Sequence, residues 1–126
     1  MRQRIYYHHT DCGGVVYYAN YLNFLEEART EYLEQHGASV SELAKQGLLF
    51  VVARQEIDYN APSFYGDILE IDTRLTHIGA AKVEFSYAIK NQKGQLVSQA
   101  KTVLVFVDKD LKPKSIPEEI RRKLAS

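Results

Sequence analysis

The chain has 126 residues, 45% of them hydrophobic, and its 16 basic side chains are balanced by 16 acidic ones. This length and apolar content fit one domain over residues 1–126 with a hydrophobic core, and they exclude a largely disordered chain. The lack of a basic excess argues against nucleic-acid binding, because proteins that bind polyanions usually carry a positively charged surface.

The first predicted elements are a short strand, a polar turn and a long helix. Arg2 to His8 resembles a strand, and it runs into a glycine-rich stretch at residues 8–14 that is typical of a turn. The apolar residues that follow recur at helical spacing, so we expect a helix that begins between Val16 and Asn20 and ends at Gly37. The residues at this spacing are Tyr21, Leu25, Ala28 and Tyr32.

The rest of the chain predicts a second, shorter helix and then a succession of strands. The short helix covers residues 39–46, with Ser39 or Ser41 as its cap. Alternating apolar residues predict the strands Leu48 to Tyr59, Asp67 to Ile78, a segment with Val83, Phe85, Tyr87 and Ile89 on one face, and Leu96 to Val107. A charged helix over Ile116 to Leu124 follows them.

The order of these elements predicts the fold class. Strands that follow one another without intervening helices argue against a parallel βαβ sheet. The predicted class is therefore α+β, with one long helix lying across the concave face of an antiparallel sheet.

The stretch from Tyr7 to Tyr21 carries the most distinctive chemistry. It combines the carboxylate of Asp11, the pair Gly13-Gly14 and the start of the long helix. The first turn of a helix has unpaired backbone N–H groups and a partial positive charge, which can hold an acyl carbonyl while a carboxylate attacks it or activates water. The alternative is that Asp11 and the glycines form only a turn.

From Tyr6 to Arg29 the sequence resembles the YbgC-like branch of the 4-hydroxybenzoyl-CoA thioesterase family, in the hotdog superfamily. The pattern of that branch is Asp-x-x-Gly-x-Val, a Tyr, and a helix with Tyr-x-x-x-x-Glu-x-Ala-Arg. The matching residues are Asp11, Gly14, Val16, Tyr17, Tyr21, Glu26, Ala28 and Arg29. The likeness continues at Phe50-Val51-Val52, at residues 58–62 and 66–71, and at residues 104–108, so it covers nearly the whole chain.

The resemblance implies a hotdog fold, in which a curved antiparallel sheet wraps one central helix. It implies an acyl-CoA thioesterase, and a homodimer or homotetramer with active sites at the subunit interface. No cofactor is expected, and no metal site either, because His8 and His9 have no recognisable set of metal ligands near them in the sequence. Asp11 is then the catalytic carboxylate, either as nucleophile or as general base. The backbone N–H of Tyr18 is the matched group for polarising the thioester carbonyl.

The predicted substrate-binding residues are Tyr7, Gly14, Val16 and Lys82. Two departures from the family pattern affect the site. Many YbgC-like enzymes have a histidine where this chain has Tyr18, which disfavours a histidine-assisted water mechanism. Related enzymes also carry a basic cluster in the turn at residues 78–81, and only Lys82 stands nearby in this sequence.

Several other side chains allow competing interpretations. Cys12 could be a nucleophile paired with His8 or His9, which should lie on opposite faces of a strand, but adjacency alone does not activate a thiol. Glu26 and Arg29 have the spacing of a helical ion pair. Ser63 follows a turn proline and lacks a nucleophile elbow, so we interpret it as a turn residue.

The alternatives to hydrolysis are a non-catalytic hotdog module that binds an acyl carrier or protein, and a hotdog dehydratase. The histidine-bearing loop typical of the dehydratases is missing from the sequence. The N-terminus lacks a signal-peptide pattern and the longest apolar run, Leu48 to Ala53, is too short for a membrane span. With a single cysteine, the chain is expected to be cytoplasmic.

Overall fold

The computed structural model describes residues 1–125 and contains one five-stranded antiparallel sheet and three α-helices. The strands are β1 (Arg2–Arg4), β2 (Leu49–Tyr59), β3 (Ile68–Ile78), β4 (Lys82–Lys90) and β5 (Leu96–Val107), and their order across the sheet is β1-β3-β4-β5-β2. The helices are α1 (Asn20–Gln35), α2 (Val40–Lys45) and α3 (Glu118–Ala125). The predicted α+β class is confirmed.

Helix α1 and the sheet bury their apolar faces against each other. The predicted inner face of β4 is entirely buried, and so is the helical stripe that faces it. These residues are Val83, Phe85, Tyr87 and Ile89 on β4, and Tyr21, Phe24, Leu25, Ala28 and Leu33 on α1. Side chains of a strand alternate between the two faces of the sheet, and those of a helix return to the same face every three or four positions. The residues that each element buries in the core therefore follow its own periodicity.

Strand β2 forms one edge of the sheet. It pairs with β5 from Leu49, opposite Val107, to Tyr59, opposite Ser98, with a register shift between Val52 and Arg54. Its other side has no strand partner among residues 1–125. A free edge of eleven residues offers unpaired backbone groups to a further strand.

The structure corrects the prediction for the N-terminal strand. Only Arg2–Arg4 is strand, and Tyr7–His9 forms a turn of 3₁₀ helix. The amides of His9 and Thr10 donate to the carbonyls of Tyr6 and Tyr7 at 3.0 Å each, which closes the turn before the glycine-rich loop. The predicted strand from Arg2 to His8 is therefore wrong beyond Arg4.

The helix boundaries agree with the sequence patterns. Helix α1 begins at Asn20 and is followed by Gly37, which has φ of 80°. The hydroxyl of Ser39 accepts a hydrogen bond from the amide of Glu42 at 3.4 Å and so caps α2. Of the two predicted caps for α2, Ser39 is the one used.

Candidate active site

The loop at residues 11–15 is held by its own backbone. The amide of Asp11 donates to the carbonyl of Val15 at 2.9 Å, and the amide of Gly14 donates to the carbonyl of Asp11 at 3.1 Å. Gly14 has φ of 82°, in the left-handed region that favours glycine. The loop turns the chain sharply and leaves the Asp11 side chain exposed.

The carboxylate of Asp11 has a fixed partner inside this loop. Its Oδ1 accepts a hydrogen bond from the amide of Gly13 at 2.8 Å. The pKa of the neighbouring Tyr17 phenol is raised, first by its interaction with Tyr18 and to a smaller extent by the negative charge of Asp11. The Gly13 amide therefore holds the Asp11 carboxylate in one orientation within the loop.

Two backbone amides at the start of α1 are unpaired. The amide of Tyr17 donates to the carbonyl of His9 at 2.9 Å, and that of Asn20 donates to the carbonyl of Tyr17 at 2.9 Å. Between them, the amides of Tyr18 and Ala19 have no acceptor within the described chain. Free N–H groups at the positive end of a helix are suited to hold an oxygen that gains negative charge.

A pocket of about 290 Å³ is lined in part by Tyr18. It is lined by Val15, Val16, Tyr18, Tyr21, Tyr59, Asn60, Ala61 and Pro62. The rings of Tyr21 and Tyr59 meet edge to face with centroids 5.5 Å apart, and the Tyr59 hydroxyl donates to the Tyr18 carbonyl at 3.0 Å. The pocket walls are therefore mainly apolar and aromatic. The hydrogen bond from Tyr59 also joins β2 directly to Tyr18, whose amide is free.

Buried hydrogen bonds fix the floor of this pocket. The hydroxyl of Tyr21 donates to the Oγ atom of Ser63 at 3.0 Å, and the Val16 amide donates to the Ser63 carbonyl at 2.8 Å. Ser63 has no exposed surface, and burial raises the pKa of the Tyr21 phenol. Ser63 is thus a structural anchor, and Tyr21 remains a neutral donor at physiological pH.

A model of the thioesterase-like superfamily matches residues 7–124 of the chain. The acyl-CoA thioester hydrolase YbgC of Escherichia coli is 39% identical over 118 residues, which cover 93% of this chain and 88% of that protein. This chain belongs to the thioesterase-like superfamily.

Two solved structures show the same fold as this thioesterase-like chain. A hypothetical protein from Aquifex aeolicus aligns with a TM-score of 0.93 and 31% identity, over 98% of this chain and 97% of that one. The DHNA-CoA thioesterase of Staphylococcus aureus aligns with a TM-score of 0.93 and 26% identity, over 99% and 89% of the two chains. The predicted hotdog fold, YbgC-like resemblance and thioester hydrolase class are confirmed.

The four predicted substrate-binding residues lie in different places in this thioesterase-like chain. Gly14 and Val16 belong to the loop and the pocket, and Val16 is buried. Tyr7 is 82% exposed and its ring meets Tyr65 edge to face, so it lies outside the hydrophobic core. Lys82 is exposed at the first position of β4.

Lys82 lies at the end of the sheet opposite to the pocket. It pairs with Val105 of β5, whereas the pocket residue Tyr59 pairs with Ser98 of the same strand. Seven residues separate these two positions on β5, which corresponds to about 23 Å at roughly 3.3 Å per residue. Within one thioesterase-like chain, Lys82 and the Asp11 loop therefore do not contribute to the same site.

The structure also decides between several competing interpretations. His8 and His9 do not lie on opposite faces of a strand, because both belong to the 3₁₀ turn and their ring centroids are 4.0 Å apart. Within residues 1–125, no hydrogen bond joins the exposed Cys12 thiol to either ring. The Glu26–Arg29 ion pair is likewise not formed there, and Glu26 accepts a hydrogen bond from Thr30 at 3.3 Å instead.

Sequence reasoning missed some residues that shape this thioesterase-like site. Tyr59 and Ser63 come from β2 and the segment after it, and they are hydrogen-bonded to Tyr18 and Tyr21, some 40 positions earlier in the chain. No local pattern predicts such pairings. Asn20 was partly recognisable in the sequence, because it is a polar residue at the expected start of α1. Its side-chain amide donates to the His9 carbonyl at 2.8 Å.

No helix among residues 1–125 is both long enough and apolar enough to cross a membrane.

Proposed function

We propose that this thioesterase-like protein hydrolyses acyl-CoA thioesters to a free acid and coenzyme A, with Asp11 as the catalytic carboxylate. The main supporting observation is the glycine loop, which leaves Asp11 exposed a few residues before the unpaired amides of Tyr18 and Ala19 at the start of α1. The YbgC protein of Escherichia coli, which is 39% identical, is an acyl-CoA thioester hydrolase. The substrate class is taken from this relative, and the roles of the residues from the geometry.

The thioester carbonyl would accept hydrogen bonds from the free amides while the acyl group lies against the tyrosines of the pocket. As the tetrahedral intermediate forms, negative charge grows on the carbonyl oxygen, and the N–H of Tyr18 faces that charge. One such preorganised donor is worth about 3 kcal/mol in the transition state. The positive end of α1 acts in the same direction.

Asp11 can act by either of two balanced routes. As a nucleophile, its carboxylate oxygen bonds to the carbonyl carbon, the C–S bond breaks, and the coenzyme A thiolate leaves and takes a proton from water. A water molecule then hydrolyses the mixed anhydride and restores Asp11. As a general base, Asp11 removes a proton from water that attacks the carbonyl directly, and that proton passes to the leaving thiolate.

We further propose that two copies of the chain join to complete the site. Two sheets that pair antiparallel through β2 about a twofold axis put the Leu49 end of one β2 beside the Tyr59 end of the other. That pairing brings the partner's Lys82 end of the sheet toward the Asp11 loop. The ammonium group of Lys82 would then contact a coenzyme A phosphate.

The experiment that tests the catalytic role compares two Asp→Asn variants in a free-thiol assay on a panel of acyl-CoA esters. Asp11→Asn should lower kcat by about 10²-fold or more, since general bases contribute about 10² to 10⁴ in rate. Asp110→Asn makes the same chemical change at an exposed position in the loop after β5, so its kcat should equal that of the wild type.

Two results would reject the proposal. Wild-type protein that binds the esters but releases no thiol would indicate a non-catalytic binding module. Equal turnover by the wild type and Asp11→Asn would exclude Asp11 as the catalytic carboxylate.

A further inference from the structure

A nearly buried and hydrogen-bonded side chain just before the Asp11 loop belongs to a histidine that the proposed reaction does not use. His9 is only 9% exposed and stands two residues before Asp11. Its ring packs edge to face on Phe24 of α1, with centroids 5.2 Å apart. Its Nδ1 atom accepts a hydrogen bond from the amide of Tyr6 at 2.9 Å.

The backbone of His9 is bonded to the other half of the site. Its carbonyl accepts two hydrogen bonds, from the Tyr17 amide at 2.9 Å and from the Asn20 side chain at 2.8 Å. Tyr17 precedes the free amide of Tyr18, and Asn20 is the first residue of α1. The position of residue 9 therefore sets the distance between Asp11 and the amide that would hold the carbonyl.

We infer that His9 is a positioning residue, whose neutral imidazole closes the turn before Asp11 and so aligns the carboxylate with the Tyr18 amide. This inference rests on the proposed function. The ring closes the turn through Nδ1, and the carbonyl transmits the resulting position to the start of α1. His9 itself need not touch the substrate.

The hydrogen bond determines which form of the imidazole is active. Because Nδ1 accepts from an amide, the ring proton lies on Nε2, and a protonated ring would place an N–H against the Tyr6 N–H. The rings around the imidazole are those of His8 and Tyr6 on the same turn and of the uncharged Phe24 on α1. Arg4 of β1 lies over the Tyr6 ring. Desolvation, followed by His8, lowers the pKa of His9, which favours the neutral form.

Two substitutions of His9 distinguish the effect of its Nδ1 hydrogen-bond acceptor from the effect of its aromatic ring. His9→Asn places a side-chain oxygen near the position of Nδ1 and cannot be protonated in this pH range, whereas His9→Phe keeps an aromatic ring against Phe24 and has no acceptor. We expect His9→Phe to lower kcat about 10-fold or more, because small misplacements of reacting groups are costly. KM should stay within about 2-fold of its wild-type value, because ground-state binding is unaffected. His9→Asn should recover most of the lost kcat.

The pH profile gives a readout that a purely structural role would not change. In the wild type, part of the fall of kcat in acid should come from protonation of His9, which disrupts the bond to the Tyr6 amide. That part should be missing in His9→Asn, so its kcat should persist to a lower pH. An acid limb at the same pH in both proteins would overturn the inference.

Amide hydrogen exchange, followed by NMR without substrate, tests the positioning separately from catalysis. The amides of Tyr6 and Tyr17 should exchange faster in His9→Phe than in the wild type, and slowly again in His9→Asn. Slow exchange of both amides in His9→Phe would overturn the inference even if Asp11→Asn is inactive. Fast exchange in His9→Phe, combined with an active Asp11→Asn, would instead reject the proposed role of Asp11. The role of the His9 hydrogen bond in holding the turn would still stand. A kcat loss in His9→Asn as large as that in His9→Phe would mean that restoring the acceptor does not restore the alignment, and it would overturn the inference.

Discussion

At the scale of single residues, the two glycines of the Asp11 loop have different physical roles. Gly14 has a left-handed backbone, and a Cβ atom added there would meet no atom within 4 Å. Gly13 does not have positive φ, but its added Cβ would lie 3.2 Å from Oδ1 of Asp11. One glycine therefore permits the turn, and the other leaves room for the carboxylate.

This difference predicts that alanine at Gly14 affects stability, whereas alanine at Gly13 affects turnover. Gly14→Ala should lower the free energy of unfolding by about 1–2 kcal/mol, because an L-residue at positive φ is strained. Gly13→Ala should leave that free energy nearly unchanged and lower kcat, because its methyl group displaces the Asp11 carboxylate. Urea unfolding and the thiol assay measure the two effects. Gly14→Asn is the control, since asparagine tolerates the left-handed region, and a loss as large as that of Gly14→Ala would contradict the backbone explanation.

At the scale of elements, the seam between α1 and β4 contains a buried polar atom without a partner. Tyr87 of β4 is 4% exposed, and its hydroxyl forms no hydrogen bond within residues 1–125. The nearby Thr102 hydroxyl donates to Oε1 of Gln55 at 2.6 Å instead. Burial raises the pKa of Tyr87, partly offset by Thr102 and Arg29, so the phenol stays neutral.

Removing this hydroxyl should not weaken the fold. An unpaired buried hydroxyl costs about 1–3 kcal/mol on the scale of protein mutations. Tyr87→Phe should therefore stabilise the protein by about 1 kcal/mol in urea unfolding, with the ring packing retained. Tyr32→Phe serves as the matched control, because Tyr32 is only half-buried on α1 and its hydroxyl can reach water. Destabilisation of Tyr87→Phe by more than about 1 kcal/mol would mean that the hydroxyl is bonded in solution.

Most elements were predictable because their patterns are local. The alternation in β4 and the helical spacing in α1 follow directly from which side of each element is buried. The 3₁₀ turn at Tyr7–His9 was not predictable, because it depends on the ring nitrogen of His9 as an acceptor for a backbone amide. Apolar alternation carries no information about such a bond.

The candidate site was predictable only in its first half. Asp11, the glycines and the start of α1 are contiguous in sequence, so their motif indicated a site before the fold was known. The contributions of Tyr59 and Ser63 depend on how the sheet curves around α1, and their partners lie far away in sequence. A motif search along the chain does not reveal long-range contacts of this kind.

At the scale of the whole molecule, the sheet separates two parts that the proposed reaction needs together. Asp11 and the pocket lie near the Tyr59 end of β2, whereas Lys82 lies near the other end, beyond the reach of any side chain. The exposed edge of β2 includes Val52 at 50% and Tyr59 at 47% exposure. A second copy that pairs along this edge would bring the two parts together.

Subunit mixing tests this arrangement directly. Asp11→Asn and Lys82→Ala proteins are unfolded together in equal amounts and refolded, and thiol release is measured at substrate concentrations below KM. If each site takes Asp11 from one subunit and Lys82 from the other, a mixed dimer has one site with both changes and one site with neither. Half of the dimers are mixed, so their intact sites should supply about a quarter of the wild-type activity in addition to that of the parent dimers. Mixing without unfolding is the control and should give only the mean of the two parents. If the refolded mixture also gives only that mean, Lys82 does not act across the interface, because a site formed within one chain always retains one of the two changes.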